Sequence, residues 1–357
     1  MNTKPVYIAE IESIFPKRYD SQYLADKLYP AERYGKKHNQ LAKKLAYKTG
    51  IKQRSSVLDL ETYPKISLAD PQDHPKIWGK KIVEQLTNNI AKSEIGHFNL
   101  GYNISTHTDL LPNLATQIAI DTKLTNIEQA EECAYYGCAA SIYCIEQAAK
   151  YCQTTDKPAI VFIFDQCFAL SVQLPQDDPD FQEMLITNLI FADAGVGLLL
   201  IPESLKHHYQ TPLLKITAIQ TKYIQGDLIQ MKAGKFLMRR NLKDIMPKLV
   251  ADNLVKPFLA ENQLNTDDID EWSIHQGGTE LLKAFQNCLN LSAEKIAPSL
   301  QLFHQYGNLS AASCLVVLAY FLKQHQQTKH QTTGLMLGFG AGYYLGALLY
   351  EVAYPNA

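Results

Sequence analysis

Several things are scarce in this 357-residue chain, and each scarcity excludes something. No apolar run reaches the roughly 18–20 residues that a membrane-spanning helix needs, so no membrane association is expected. Neither sign of charge predominates. With 34 basic and 36 acidic residues the formal net charge is -2, which argues against a nucleic-acid partner held by bulk electrostatics. The segment from Met1 to Glu10 has one lysine and no long apolar stretch behind it, so no secretory signal is expected. The seven cysteines are odd in number and form no CxxC pair. Reduced thiols in a cytoplasmic protein therefore fit better than a disulfide framework or a zinc ribbon. There is no GxxxxGK[ST], no GxGxxG after the first strand and no HExxH, so no cofactor and no metal are implied. Short repeats of the solenoid or propeller kind are also missing.

What is present is a globular α/β chain. Hydrophobic residues make up 46 %, enough for a sizeable core. Strand-like runs (Val6–Ile14, Gly96–Ile104, Ala159–Phe164, Gly195–Ile201) alternate with helical spacing at Asp20–Tyr47, Leu111–Leu124 and Ala139–Tyr151. The alternation recurs with strands at Leu213–Gln220, Glu271–His275, Gly334–Phe339 and Tyr343–Val352. Helices are expected at Leu237–Ala260, Thr279–Leu289 and Ser310–Lys323. The pattern predicts a mostly parallel central sheet and two similar halves, 1–205 and 206–357.

Four segments could carry chemistry. The first runs from Glu131 to Tyr143. A strand-like run ends at Gly137, and Cys138 then opens a helix of small residues. A helix N-terminus lowers a thiol pKa through the macrodipole and nearby amides, which would make Cys138 a nucleophile. A buried, inert cysteine is the competing reading. Four of the seven cysteines crowd into 133–152, where Cys144 and Cys152 read as packing. In the second segment, Trp272-Ser273-Ile274-His275-Gln276-Gly277-Gly278, a strand delivers a histidine to its C-terminal end, where open α/β sheets place functional groups. A histidine holding a turn is the alternative. The third, Tyr306-Gly307-Asn308-Leu309-Ser310, offers Asn308 either as a functional amide or as a helix N-cap. The fourth, Gly338-Phe339-Gly340-Ala341-Gly342, is either a tight turn or a backbone nest for an oxyanion.

Taken in order, these segments resemble the thiolase-like condensing enzymes, and within them the β-ketoacyl-acyl carrier protein synthase III family. Lys48-Thr49-Gly50-Ile51-Lys52-Gln53-Arg54 is similar to that family's R-T-G-I-x-x-R. Cys138-Ala139-Ala140-Ser141-Ile142-Tyr143 is similar to C-A-G-F-x-Y, and Phe191-Ala192-Asp193-Ala194-Gly195 to F-G-D-G-A. His275-Gln276 begins H-Q-A-N, Gly307 to Ser313 resembles G-N-T-S-A-A-S, and Gly338 to Gly342 resembles G-F-G-G-G. His275-x-Gly277-Gly278 instead resembles the H-P-G-G of type III polyketide synthases.

The resemblance implies a five-layered α-β-α-β-α fold and a catalytic triad of Cys138, His275 and Asn308. It implies an oxyanion hole from the Cys138 amide and the Gly340–Gly342 turn. The implied reaction is ping-pong: acyl transfer to Cys138, then decarboxylative condensation with a malonyl-type thioester in a fatty-acid or polyketide pathway. A non-decarboxylating acyltransferase and a non-catalytic partner subunit are the rival readings. A homodimer is implied, with Leu110 of one copy bordering the acyl pocket of the other. Lys44 and Leu185 fall where acetyl-CoA-primed members carry an adenine-clamping tryptophan and arginine. Priming by an acyl carrier protein, or by some other thioester, in preference to acetyl-CoA is therefore expected, with Lys235, Arg239 and Arg240 as a candidate carrier-docking patch; an ordinary solvated helix start is the alternative there.

Overall fold

The computed structural model describes residues 4–109, 111–170, 174–232 and 235–355, without the side chains of 169 and 170. Nine strands form one sheet: β1 (Val6–Ile14), β2 (His97–Tyr102), β3 (Gln129–Ala134), β4 (Ala159–Gln166), β5 (Asp193–Pro202), β6 (Leu213–Tyr223), β7 (Glu271–Ile274), β8 (Thr333–Phe339) and β9 (Tyr344–Ala353). Their spatial order is β7-β8-β9-β6-β1-β5-β4-β2-β3. The order is a near mirror: β1-β5-β4-β2 on one side is matched by β6-β9-β8-β7 on the other. β1 and β6 meet antiparallel at the centre, and residue 205 lies in the short 3-10 turn that joins β5 to β6.

The expectation of a mostly parallel sheet does not hold. β2 pairs in parallel with β3 and with β4, and β7 with β8. The pairs β4–β5, β5–β1, β1–β6, β6–β9 and β9–β8 are antiparallel. In each half the last strand returns beside the first against the direction of its neighbours.

Seven helices matter for the site: α1 (Ala31–Thr49), α2 (Pro75–Leu86), α3 (Ala140–Thr155), α4 (Phe181–Ile190), α5 (Thr279–Leu289), α6 (Ala293–Tyr306) and α7 (Ser313–His325). α3 packs on strands of both halves, and α7 on β7, β8 and β1. Small residues line α3, and α7 is apolar on nearly every side, as befits helices enclosed between layers. β4 and β5 are buried along their whole length, which accounts for their unbroken apolar runs.

One expected helix is absent in that form. Residues 237–260 do not make a single helix. Lys235–Met238 pairs with Ile229–Lys232 in a hairpin, and the helical stretch Leu242–Glu261 is interrupted by a π turn at Ala251–Val255. Pro247 and Pro257 each remove an amide donor from this region, which a single α-helix would need.

Candidate active site

β3 ends at Ala134, and the chain then turns through two left-handed residues, Tyr135 (φ 69°) and Gly137 (φ 58°). Gly137 to Ala139 form a 3-10 turn that leads into α3. A Cβ at Gly137 would lie 2.4 Å from Ala341 N, and one at Gly340 would lie 2.2 Å from Cys138 N. The two backbones touch there, so neither position admits a side chain. This contact seats the Cys138 amide against the 340–342 turn of the other half.

Across from this turn lies its counterpart. Gly307 (φ 80°) is followed by Asn308 and then by Ser310, held at φ 53° at the head of the turn into α7. The Ser310 hydroxyl lies 3.5 Å from Cys138 Sγ. Asn308 Oδ1 accepts the Ser310 amide at 2.9 Å. His275 stands at the end of β7, where its amide donates to Leu337 O at 2.9 Å. Its ring hydrogen-bonds the Ser310 backbone and meets Phe339 edge-on at 5.1 Å. Thus Cys138, His275 and Asn308 each contact Ser310, a residue that the sequence reading did not single out.

Asp165, the penultimate residue of β4, is the other unanticipated member. It is fully buried and accepts four backbone or side-chain bonds, from Asn103 N (2.7 Å), Ile104 N (2.8 Å), Asn103 Nδ2 (2.9 Å) and Ala311 N (3.3 Å). Burial raises its pKa, and its charge in turn raises that of Cys138.

The electrostatics correct one expectation. Cys138 is only 7 % exposed, and burial pushes its thiol from 9.0 up to about 12, although the Ser310 hydroxyl pulls the other way. Taking a thiolate out of water costs more than a helix terminus returns, which is typically 0.3–1 kcal/mol. Burial also pulls His275 from 6.5 down to about 3. The resting pair is a neutral thiol and a neutral imidazole.

A cleft of about 450 Å³ opens beside Gly277 and Gly278, the two residues that follow His275-Gln276. Leu45, Ile186, Leu189, Ile190, Met238 and Phe303 supply apolar wall, and Lys48, Arg240 and Lys243 supply positive charge. Leu185, taken from the sequence as the arginine-equivalent position, is buried in the core instead; its neighbour Ile186 faces the cleft. Helix periodicity carries adjacent residues to different faces, which is why Leu185 is buried while Ile186 lines the cleft. Lys44 does not line the cleft, whereas Leu45 and Lys48 do.

The proposed docking patch fares worse. Lys235 is held by Asp178 and Asp180 at 2.9 and 3.1 Å. Arg239 binds Glu183 at 2.9 Å, and Arg240 donates to the Gln182 side-chain oxygen. Two of the three charges are thus answered by carboxylates at the start of α4. The Gly340 amide is likewise committed, to Tyr344 O at 3.0 Å, while Gly342 sits at φ 70° in the same turn. Leu110 lies outside the described residues. Among the described residues, no three His, Cys, Asp or Glu side chains group as a metal site.

Comparison with known proteins bears on this arrangement. Residues 259–352 match the family of the 3-oxoacyl-[acyl-carrier-protein] synthase III C terminal. A putative chalcone synthase of Bacillus subtilis is 26 % identical over 230 residues, 60 % of either chain. Type III polyketide synthase B of Arabidopsis thaliana is 26 % identical over 222 residues, 58 % of this chain and 55 % of that one. The C-terminal part of the chain thus matches a condensing-enzyme family, and the chain is similar to proteins named as a chalcone synthase and a type III polyketide synthase. It spans between 55 and 60 % of the length of these relatives. In solved structures, the fold recurs in 1,3,6,8-tetrahydroxynaphthalene synthase of Streptomyces coelicolor. That likeness has a TM-score of 0.79 at 18 % identity and covers 98 % of this chain and 99 % of that one. It recurs too in PKS-I of the brown alga Ectocarpus siliculosus, with a TM-score of 0.77 at 18 % identity and 99 % of both chains covered. The condensing-enzyme fold expected from the sequence is therefore present, and the relatives lie on the polyketide side that His275-x-Gly277-Gly278 resembles.

Proposed function

We propose that this condensing enzyme carries out acyl transfer and condensation of the type III polyketide synthase kind, with Cys138 as nucleophile. The observation that carries the reading is the convergence of Cys138, His275 and Asn308 on Ser310. Acylation begins from the neutral pair. As Cys138 sulfur attacks a thioester carbonyl, its proton passes to the neutral His275 imidazole and then to the departing thiol. The Cys138 amide and a remaining amide of the 340–342 turn stabilise the oxyanion, since the Gly340 N–H is engaged by Tyr344. A malonyl-type thioester then loses CO2, and His275 and Asn308 donate to the enolate oxygen that develops. The carbanion attacks the acyl-cysteine to give a 3-oxoacyl product.

The cationic rim of the cleft suits the phosphate of a phosphopantetheine arm, which CoA and carrier proteins share. With Lys235 and Arg239 already ion-paired, the donor is proposed only at that level. Mass spectrometry after incubation with acyl thioesters tests the first half-reaction, with fragmentation locating the adduct on Cys138 rather than Cys133. Release of CO2 from a malonyl thioester tests the second and separates condensation from plain acyl transfer; no adduct at all would leave a non-catalytic subunit. His275→Ala and Asn308→Ala should retain self-acylation and lose condensation by roughly 10²–10³-fold each. Wild-type condensation in both would overturn their roles.

We also propose a homodimer. β3 is the sheet's outer strand and offers an edge to a second copy in antiparallel register. Light scattering at micromolar concentration should give twice the 40.2 kDa chain mass; a monomer would rule this out.

A further inference from the structure

Arg54 is fully buried, and among the described residues no carboxylate lies within salt-bridge distance of it. It lies in the short strand Gln53–Ser55, beyond the left-handed C-cap Gly50 of α1. Its Nη1 donates to two carbonyls, Asn188 O at 2.7 Å and Phe191 O at 2.8 Å. Its guanidinium lies 5.0 Å over the Phe168 ring. A buried cation is costly unless it is paired and hydrogen-bonded. Burial pulls Arg54 down to about 9, with Asp193 as the nearby carboxylate that opposes this.

The two carbonyls flank the stretch that holds Asn308. The Asn308 amide donates to Ile190 O at 2.8 Å, and Asn308 O accepts from Ala192 N at 2.9 Å. Phe191 is thus bracketed: its own carbonyl goes to Arg54, and the residues on either side clamp the Asn308 backbone. The same segment is tied down beyond Phe191. Ser55 Oγ donates to Asp193 O at 2.6 Å, Val57 N to Asp193 Oδ2 at 2.9 Å, and Phe168 N to Asp193 Oδ1 at 2.7 Å. Gly307 completes the contact. A Cβ there would lie 2.7 Å from Ile190 O and 3.2 Å from Arg54 Cγ.

We infer that Arg54 is the positioning residue for Asn308: by holding the Asn188 and Phe191 carbonyls it fixes the 190–192 segment, and through it the register in which the Asn308 side chain is presented to the site. The inference rests on the proposed role of Asn308 in condensation. Cys138 is seated by a different contact, the glycine pair 137 and 340, so acylation does not depend on this clamp. Misplacement of a donor by about 1 Å costs on the order of 10²-fold in rate.

The test compares wild type with Arg54→Lys, which keeps the charge on a side chain too short to carry its nitrogen to both carbonyls, and with Gly307→Ala, which keeps the arginine but crowds both its Cγ and the Ile190 carbonyl. Hydrogen exchange at the Asn308 and Ala192 amides is read together with the rates of self-acylation and condensation. In both variants, exchange at those two amides should speed up at least tenfold. Self-acylation should stay within about threefold, while condensation falls tenfold or more. Unchanged protection of Asn308 in folded Arg54→Lys would overturn the inference, as would a parallel fall in both rates. If Arg54→Lys does not fold, Arg54→Gln is read in its place by the same criteria. If wild type acylates but never condenses, the proposed function fails, and the amide exchange still judges Arg54.

Discussion

Two turns, one from each half, carry nearly the same sequence: Cys138-Ala139-Ala140-Ser141 and Ser310-Ala311-Ala312-Ser313. Each overlaps a 3-10 turn, Gly137–Ala139 or Ser310–Ala312, that leads into a helix enclosed between layers; Gly137 stands one residue before the first quartet and Gly307 three before the second, both at positive φ. They face one another. Cys138 Sγ meets Ser310 Oγ at 3.5 Å, and one turn further along Ser141 Oγ meets Cys314 Sγ at 3.4 Å. A 3-10 turn into an enclosed helix is thus used twice, with sulfur on its second residue in one half and oxygen on its first in the other. The halves also diverge just before the turn. Tyr136 precedes Gly137 where the second copy, after Gly307, places Asn308. One half therefore presents a nucleophile, and the other presents the amide and hydroxyl that surround it.

Making the two turns alike is the severest way to break this comparison. Cys138→Ser makes the first four-residue sequence match the second at its leading position. An unactivated hydroxyl is a far weaker nucleophile than a thiol, so self-acylation should fall by roughly 10³-fold or more. Intact mass after incubation with an acyl thioester checks it. Acylation of the variant near the wild-type rate would mean that the adduct never depended on sulfur.

A gentler change sharpens the comparison from the other side. With the Cys138 thiol near 12, its thiolate is a minor species at neutral pH. Alkylation of Cys138 should then rise about tenfold per pH unit between pH 7 and 9, without a plateau. His275, pulled down to about 3, should add no inflection near 6.5. Ser310→Ala removes the hydroxyl that favours the thiolate, so alkylation should slow severalfold at every pH. Mass-resolved alkylation rates report all three. A plateau near pH 6–7 would instead reveal a thiolate–imidazolium pair in solution.

What could be read in the sequence depended on whether the signal was local. Ala159–Phe164 announced a buried strand because an unbroken β-branched and aromatic run suits nothing else of that length. Cys138, His275 and Asn308 stood out as heads and ends of elements, next to glycines that mark tight backbone. The state of Cys138 could not be read, because burial is a property of both halves packed together. Ser310 was in plain view within a quoted motif. Its importance lies in its contacts with Cys138, 172 positions away, and with His275 at the end of β7, which no local pattern reveals. The 237–260 region misled because its apolar spacing continues through the π turn, while the preceding hairpin carries no strong turn signal.

The basic patch shows the same limit and gives the smallest expected effect. Lys235, Arg239 and Arg240 read as an open cationic surface when only their own stretch is considered. Their partners, Asp178, Asp180, Gln182 and Glu183, come from the start of α4, more than 50 residues earlier. Charges already answered by carboxylates present little field to an incoming acidic carrier. Lys235→Met should therefore leave the rate of acylation from a carrier-borne thioester within about twofold of wild type, with the same salt dependence. Because ion pairs that still reach solvent, with side chains 17–23 % exposed here, contribute little to stability, the melting temperature should drop by no more than about 2 °C. A tenfold loss confined to the carrier-borne donor, with the CoA-borne donor unaffected, would show that Lys235 leaves Asp178 and Asp180 to meet a carrier.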